Sequence, residues 1–170
     1  MKSYKTELYW SFTYIAFTLC WMWLEKVLGL HSTHIDLHEY FSLLIIIPVI
    51  YIYVLALKAK KKQYYGGQIS YAQAFFSGAI LTFIISLFSP LTQWVITTLI
   101  SPDYFKNVIN YSLQVGYYKS YEEASNYFNL KNYMIQSTLG AFVMGIVTTA
   151  IVAYFIRSKN TTHANPTIYN

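Results

Sequence analysis

Residues 72–100, AQAFFSGAILTFIISLFSPLTQWVITTLI, carry no Asp, Glu, Lys or Arg over their whole length. A helix on the surface of a water-soluble bundle needs a polar stripe, and this segment shows no charge on any face. A bilayer's hydrocarbon core, about 30 Å thick, needs roughly 20 apolar residues at 1.5 Å each. The stretch therefore predicts a membrane-spanning helix, and the rest of the chain agrees with it. Uncharged windows also run over Leu8–Leu24, Tyr40–Leu57 and Asn132–Ile156, and the window around the opening stretch extends over Tyr64–Pro102. Within lipid each backbone polar group must be bonded internally, and continuous apolar runs satisfy this as helices, whereas barrel strands would alternate. The predicted fold is all-α: an integral membrane four-helix bundle forming one domain over residues 1–158, followed by a polar tail over 159–170 that is expected to be disordered.

Composition supports this. Of 170 residues, 55% are apolar, 19% aromatic and only 11% charged, well below the ~25% of an average soluble domain. A single Cys excludes a disulfide scaffold, and Cys20, inside the first window, reads as a small apolar filler. Lys2 and Lys5 before the first window resemble a secretory signal, but Trp21, Trp23, Glu25 and Lys26 close it where small residues would be needed for cleavage, so an uncleaved first helix is expected. Glu25 and Lys26 are expected to reach the outer interface.

Basic residues set the orientation. Placing the N-terminus, the loop after the second helix and the C-terminal tail on one side gives Lys2, Lys5, Lys58, Lys60, Lys61, Lys62, Arg157 and Lys159, eight in all; the other side holds Lys26, Lys106, Lys119 and Lys131, with six of the seven acids. Both termini are thus expected in the cytoplasm. The net charge of +5 reads as a topology signal and a counter to anionic lipid, and nucleic acid is not an expected partner. Most of the 18 Tyr crowd the predicted interfaces as an aromatic belt.

Between the third and fourth windows two short amphipathic helices are expected on the outer surface. Asp103 opens the first, with Phe105, Val108 and Ile109 on one face and Gly116 as its stop. Ser120 and Glu123 stand at capping-box spacing for the second.

The stretch Gly66-Gly67-Gln68-Ile69-Ser70-Tyr71-Ala72-Gln73-Ala74-Phe75, with Gly78 after it, resembles the start of the third helix in the bacterial membrane family of domains of unknown function DUF4199. A basic loop, this motif, a helix ending near Pro102, a Glu pair at Glu122 and Glu123, and a glycine-bearing last helix repeat its layout over residues 5–158. The resemblance implies four helices in a bacterial inner membrane and no assigned activity, so it transfers no functional residue. The histidines of the first outer loop depart from the pattern.

That loop holds His31, His34, Asp36, His38 and Glu39, the densest group of metal-competent side chains in the chain. His34 and His38 are four residues apart, a spacing that grips zinc or copper on a helix. The ligand set is otherwise incomplete, His163 falling on the opposite side, and Ser32 or Thr33 as a helix cap with Asp36 and Glu39 in the first turns accounts for the group without an ion. No catalytic, cofactor-binding or metal site is assigned on this reading, and the protein is not expected to be an enzyme. The polar residues within the spans are mild: Gln73, Thr82, Ser86, Gln93, Gln136, Thr148 and Thr149.

Small residues recur every four positions at Ser70, Ala74, Gly78, Thr82, Ser86 and Pro90, and again at Ala141, Gly145, Thr149 and Ala153. Lipid gives helices no hydrophobic reason to associate, so ridges of this kind predict that the third and fourth spanning helices pack tightly through Gly78 and Gly145. The expected function is that of a non-enzymatic membrane module for assembly or interaction, with itself or with other membrane proteins; the alternative is a transporter or channel subunit acting as an oligomer. Reporter fusions after Lys62 and after Lys159 are expected to read cytoplasmic, and fusions within residues 32–36 or near Tyr118 external. An external reading at residues 58–62 would overturn this orientation.

Overall fold

The computed structural model describes residues 4–158, and the tail over 159–170, with His163, lies outside them. Among the described residues the regular structure is helical throughout: α1 (Lys5–Val27), α2 (Ile35–Leu43), α3 (Ile46–Gln63), α4 (Tyr71–Val95), α5 (Tyr104–Gln114), α6 (Tyr121–Tyr127) and α7 (Leu130–Ile156). A π-helical turn, Ile96–Ile100, ends α4. Ser101 N–H closes that turn on the Ile96 carbonyl at 2.7 Å, a five-residue step.

Three helical stretches are long and apolar enough to cross a membrane: Ile35–Gln63, Tyr71–Ile100 and Tyr121–Ile156. α1, expected as a fourth, has the length but not the apolarity, since Tyr9, Trp10, Ser11, Thr13, Tyr14 and Thr18 put hydroxyls and ring polar atoms along it. The helices show lipid-type surfaces. Leu139, Val143, Val147, Ile151 and Phe155 on α7, four residues apart, are each at least 48% exposed. Contiguous apolar exposure on this scale is avoided by soluble monomers.

The second window does not form one unbroken helix. It is interrupted at Leu44 and Ile45, between α2 and α3. Pro48 has no N–H to return to the Leu44 carbonyl, which accepts instead from Ile47 N–H, three residues on. Pro90, by contrast, lies inside α4 without ending it.

The α4–α7 pair is the seam of the bundle. A Cβ built on Gly78 would stand 2.5 Å from Thr149 Cγ2, and one built on Gly145 would stand 2.5 Å from Thr82 Cγ2 and 2.8 Å from the Tyr53 hydroxyl. The two glycines therefore do not face each other, as the ridges suggested; each receives a threonine of the partner helix. The threonine hydroxyls meet at 3.4 Å, and Tyr53 of α3 bonds Thr82 at 2.9 Å, so the polar atoms drawn into the seam are satisfied by one another. Ala74, Ser86 and Ala153 continue the two ridges as buried residues. The apolar core, Tyr53, Ala56, Leu57, Ile69, Leu81, Ile85 and Val152 among it, joins α3 to this pair.

The glycine-rich motif is a chain-reversal device. Gly66 and Gly67 take φ of +61° and +89°, values open to glycine. Ile69 is fully buried. Ser70 caps α4 by accepting from Gln73 N–H, while the Gln73 side chain accepts from Ser70 N–H, a complete capping box. Ser158 then ties the far end of α7 back to this turn: its N–H donates to the Ile69 carbonyl, and its hydroxyl accepts from Ile69 N–H.

Both short helices expected between the third and fourth windows are present. Ile109 is buried on the predicted face of α5, and Gly116 turns at φ +80°. Ser120 caps α6 from Glu123 N–H, but the Glu123 carboxylate accepts from Lys119 N–H rather than closing the box on Ser120.

Overpacking a tight seam typically costs about 1–3 kcal/mol. Gly145→Ala is expected to lower the stability of the purified protein in detergent by that amount and Gly145→Ile by more. Gly140→Ala, whose Cβ meets nothing within 4 Å, is expected to stay within about ±0.5 kcal/mol. Unfolding midpoints of the three variants measure this, and equal losses at Gly140 and Gly145 would refute the seam.

Candidate functional site

Two buried carboxylates bracket α1. At the end bearing the lysine run, Glu7 is met by the Lys60 ammonium at 2.8 Å and by the Ser77 hydroxyl at 2.7 Å. Ser11, one turn on, donates to the carbonyls of Glu7 and Leu81, so α1 is bonded to both α3 and α4. The Lys61 ammonium donates to the Ile156 carbonyl at the end of α7, where a cation is electrostatically favoured.

At the other end α1 stops by a glycine-centred turn. Leu30 N–H returns to the Glu25 carbonyl and Gly29 N–H to that of Lys26, a Schellman pairing, with Gly29 at φ +77°. Leu30 buries its side chain, and the turn directs His31 inward. The reversal also corrects the expected cap. Gly29 carbonyl already accepts from Ser32 and His34 N–H, α2 begins after His34, and no side chain caps it.

His31 thus reaches Glu25, and α2 brings His38 and Ser42 to the same carboxylate. Glu25 Oε2 stands 3.2 Å from His31 Nε2 and 3.2 Å from His38 Nδ1. Ser42 donates at 2.9 and 3.0 Å, and Trp21 Nε1, whose ring stacks on Phe41 of α2, donates to Oε1. The outer nitrogen of each imidazole is also engaged: His31 Nδ1 with Ser101 Oγ at 2.6 Å, His38 Nε2 with the Tyr104 hydroxyl at 3.2 Å. Tyr104 in turn meets Tyr133 of α7 at 3.4 Å, and Asn107 holds the His31 carbonyl. The rings of His31, His38 and Tyr104 pack edge-on in a triangle with sides of 5.1, 5.3 and 5.4 Å. Burial pushes the Tyr104 phenol above its ordinary pKa; the bond to Tyr133 offsets part of that rise and the charge of Glu25 adds to it, so the hydroxyl keeps its proton.

Five elements contribute to the cluster: α1, the loop after it, α2, the residue following the π turn, and α5. Ordinary hydrogen bonding can satisfy it, with His31 protonated at Nε2 and His38 at Nδ1, both donating to Glu25, and Ser101 and Tyr104 donating to their outer nitrogens. No buried side-chain polar atom among the described residues lacks a partner.

Residues 9–158 match the family described as "Protein of unknown function (DUF4199)". The chain belongs to the DUF4199 family. No curated protein and no solved structure matches it. The match in this DUF4199 protein spans the Glu25 cluster and the glycine-rich motif; Glu7 lies just before it.

The structure reassigns the loop's metal-competent residues. His31 and His38 are brought together, whereas His34, Asp36 and Glu39 are exposed and take no part. Glu25, expected at the interface, is entirely buried, while Lys26 beside it is exposed. The i, i+4 pairing of His34 with His38 fails because His34 precedes the helix. Sequence alone does not point to Ser101, Tyr104 and Tyr133 as partners, since only the tertiary fold brings them near, although an acid closing an apolar helix marks Glu25. Removing Glu25 leaves buried donors of Trp21, Ser42 and the imidazoles without an acceptor, each worth about 1–3 kcal/mol. Glu25→Ala is accordingly expected to cost at least that much in unfolding free energy, against about ±0.5 kcal/mol for Lys26→Ala; equal effects would show that the cluster holds nothing together.

Proposed function

We propose that this protein is an integral protein of a bacterial inner membrane that crosses the bilayer four times with both termini in the cytoplasm, and that it works as a non-enzymatic module for assembly or interaction. Supporting the fourth span, α1 is 23 residues long, about 35 Å at 1.5 Å per residue, enough for a hydrocarbon core. Its two buried carboxylates lie near its two ends, where interfacial depth lowers the cost of charge. The lysines near Glu7 support the cytoplasmic side, and α5 then lies over the Glu25 cluster at the outer end of α1.

The observation that carries the module reading is the interior of the seam. Among the described residues, Tyr53, Thr82 and Thr149 bond one another between α3, α4 and α7, and the buried carboxylates Glu7 and Glu25 lie near the ends of α1, with Lys60 of α3 beside Glu7. A proton or ion carrier usually places ionisable groups at mid-depth. The partners proposed are lipid, a second copy or other membrane proteins, and not nucleic acid.

One feature favours the transporter or channel reading. A half-open cleft of about 320 Å³ lies between α1, α3, α4 and α7, where Thr18, Gln93, Ser137 and Thr148 add polar atoms to an apolar wall. In proteoliposomes with a pH or potassium gradient, the module reading expects leakage no faster than in empty vesicles, unchanged by Thr148→Trp. Protein-dependent flux abolished by Thr148→Trp would replace it with the transporter reading.

A further inference from the structure

Glu7 and Glu25 are both buried carboxylates, yet only Glu7 has a primary ammonium beside it. Glu25 has no exposed surface and its ion-pair partners are two imidazoles, each 3.2 Å from the same oxygen. Hydrogen bonds from Trp21, Ser42 and the two imidazoles hold the carboxylate, and a cation seated between the three side chains would set full positive charge against it.

We propose that Glu25, His31 and His38 bind a divalent transition cation of the zinc class, with Ser42 Oγ or a water at the fourth position. The ligand atoms of these three residues lie within 4.8 Å of one another. Two ligands on a tetrahedral zinc, each about 2.1 Å from the metal, stand about 3.4 Å apart. The separations of 3.2 Å from Glu25 Oε2 to His31 Nε2 and to His38 Nδ1 are close to that, and the two imidazoles offer nitrogens within 4.8 Å of each other.

The surroundings fit the same chemistry. A metal-binding imidazole normally donates its other N–H to an oxygen that fixes ring orientation. Ser101 Oγ and the Tyr104 hydroxyl stand in those places, at 2.6 and 3.2 Å. They take the role opposite to the ion-free pattern, accepting where they would otherwise donate; Tyr104 then turns its proton elsewhere, with Tyr133 within reach. Two nitrogens and one carboxylate suit zinc and its neighbours, whereas calcium and magnesium prefer all-oxygen shells. His38 keeps 18% of its side chain exposed, a side on which an ion can enter. Bound there, the ion clips the end of α1 to α2 beneath α5. The proposal is independent of whether the protein works as a module or a carrier.

The test uses the full chain purified in detergent, stripped with a chelator and titrated with zinc, cobalt and magnesium. One zinc per chain, a rise in melting temperature with zinc and not magnesium, and a cobalt spectrum of four-coordinate type are expected. Zinc affinity should fall at least 100-fold in His31→Ala and in His38→Ala, fall roughly 10-fold in Tyr104→Phe through loss of the orienting oxygen, and stay unchanged in His34→Ala. No stoichiometric zinc on the wild-type chain, a cobalt spectrum like that of the free aquo ion, or binding lost in His34→Ala but kept in His31→Ala would overturn the proposal. The wild-type titration and spectrum decide it even where a substitution prevents folding.

Discussion

The central pair of this bundle depends on a helix, α4, that meets α7 chiefly through its shape. In lipid its apolar side chains gain nothing by leaving their surroundings, so it is held by the places where side chain gives way to backbone: Gly78 under Thr149, and Gly145 over Thr82. The fit is reciprocal, and it draws hydroxyls together, which Tyr53 completes from α3. Contact at van der Waals distance and one shared polar knot replace the hydrophobic force of a soluble core.

α1 is held on different terms. Its polar decoration makes it less apolar than α4 and α7, and buried charge fixes it at each end. Near the lysine run an ammonium neutralises Glu7 outright; at the other end Glu25 gathers donors from α1, α2 and the loop between them. One end resembles a conventional buried ion pair, which is costly to break. The other is a multi-donor nest around a single carboxylate.

Long-range order was legible where it rests on periodicity. The four-residue repeats identified α4 and α7 as a pair and named both glycines, and Asp103 with Gly116, and Ser120 with Glu123, marked local starts and stops within a residue or so. Contacts made by residues far apart in the chain were not legible. Nothing in the order of residues announces that Ser101 will meet His31 or that Ser158 will bond Ile69, because both depend on how helices are rotated in the folded bundle. The break at Pro48 was present in the sequence as a missing N–H, hidden by apolar neighbours that read as one continuous span. Glu25 departs from the sequence expectation for a physical reason: a charge at a helix end usually finds water, and here the Schellman turn folds a histidine over it first.

The π turn at the end of α4 acts as a phase adjuster. A five-residue step holds one residue more than an α-helical turn, and each residue of an α-helix advances the chain by about 100° around its axis. That single extra position sets the angle at which Ser101 and the start of α5 leave the membrane helix, and hence whether Tyr104 lands over the imidazoles or beside them. The seam with α7 is indifferent to it, since Gly78 and Thr82 lie well before the turn. The packing of the α4–α7 pair and the aim of α5 are therefore separable in this chain: the first is set by residues before Ile96, the second by the five-residue step from Ile96 to Ser101.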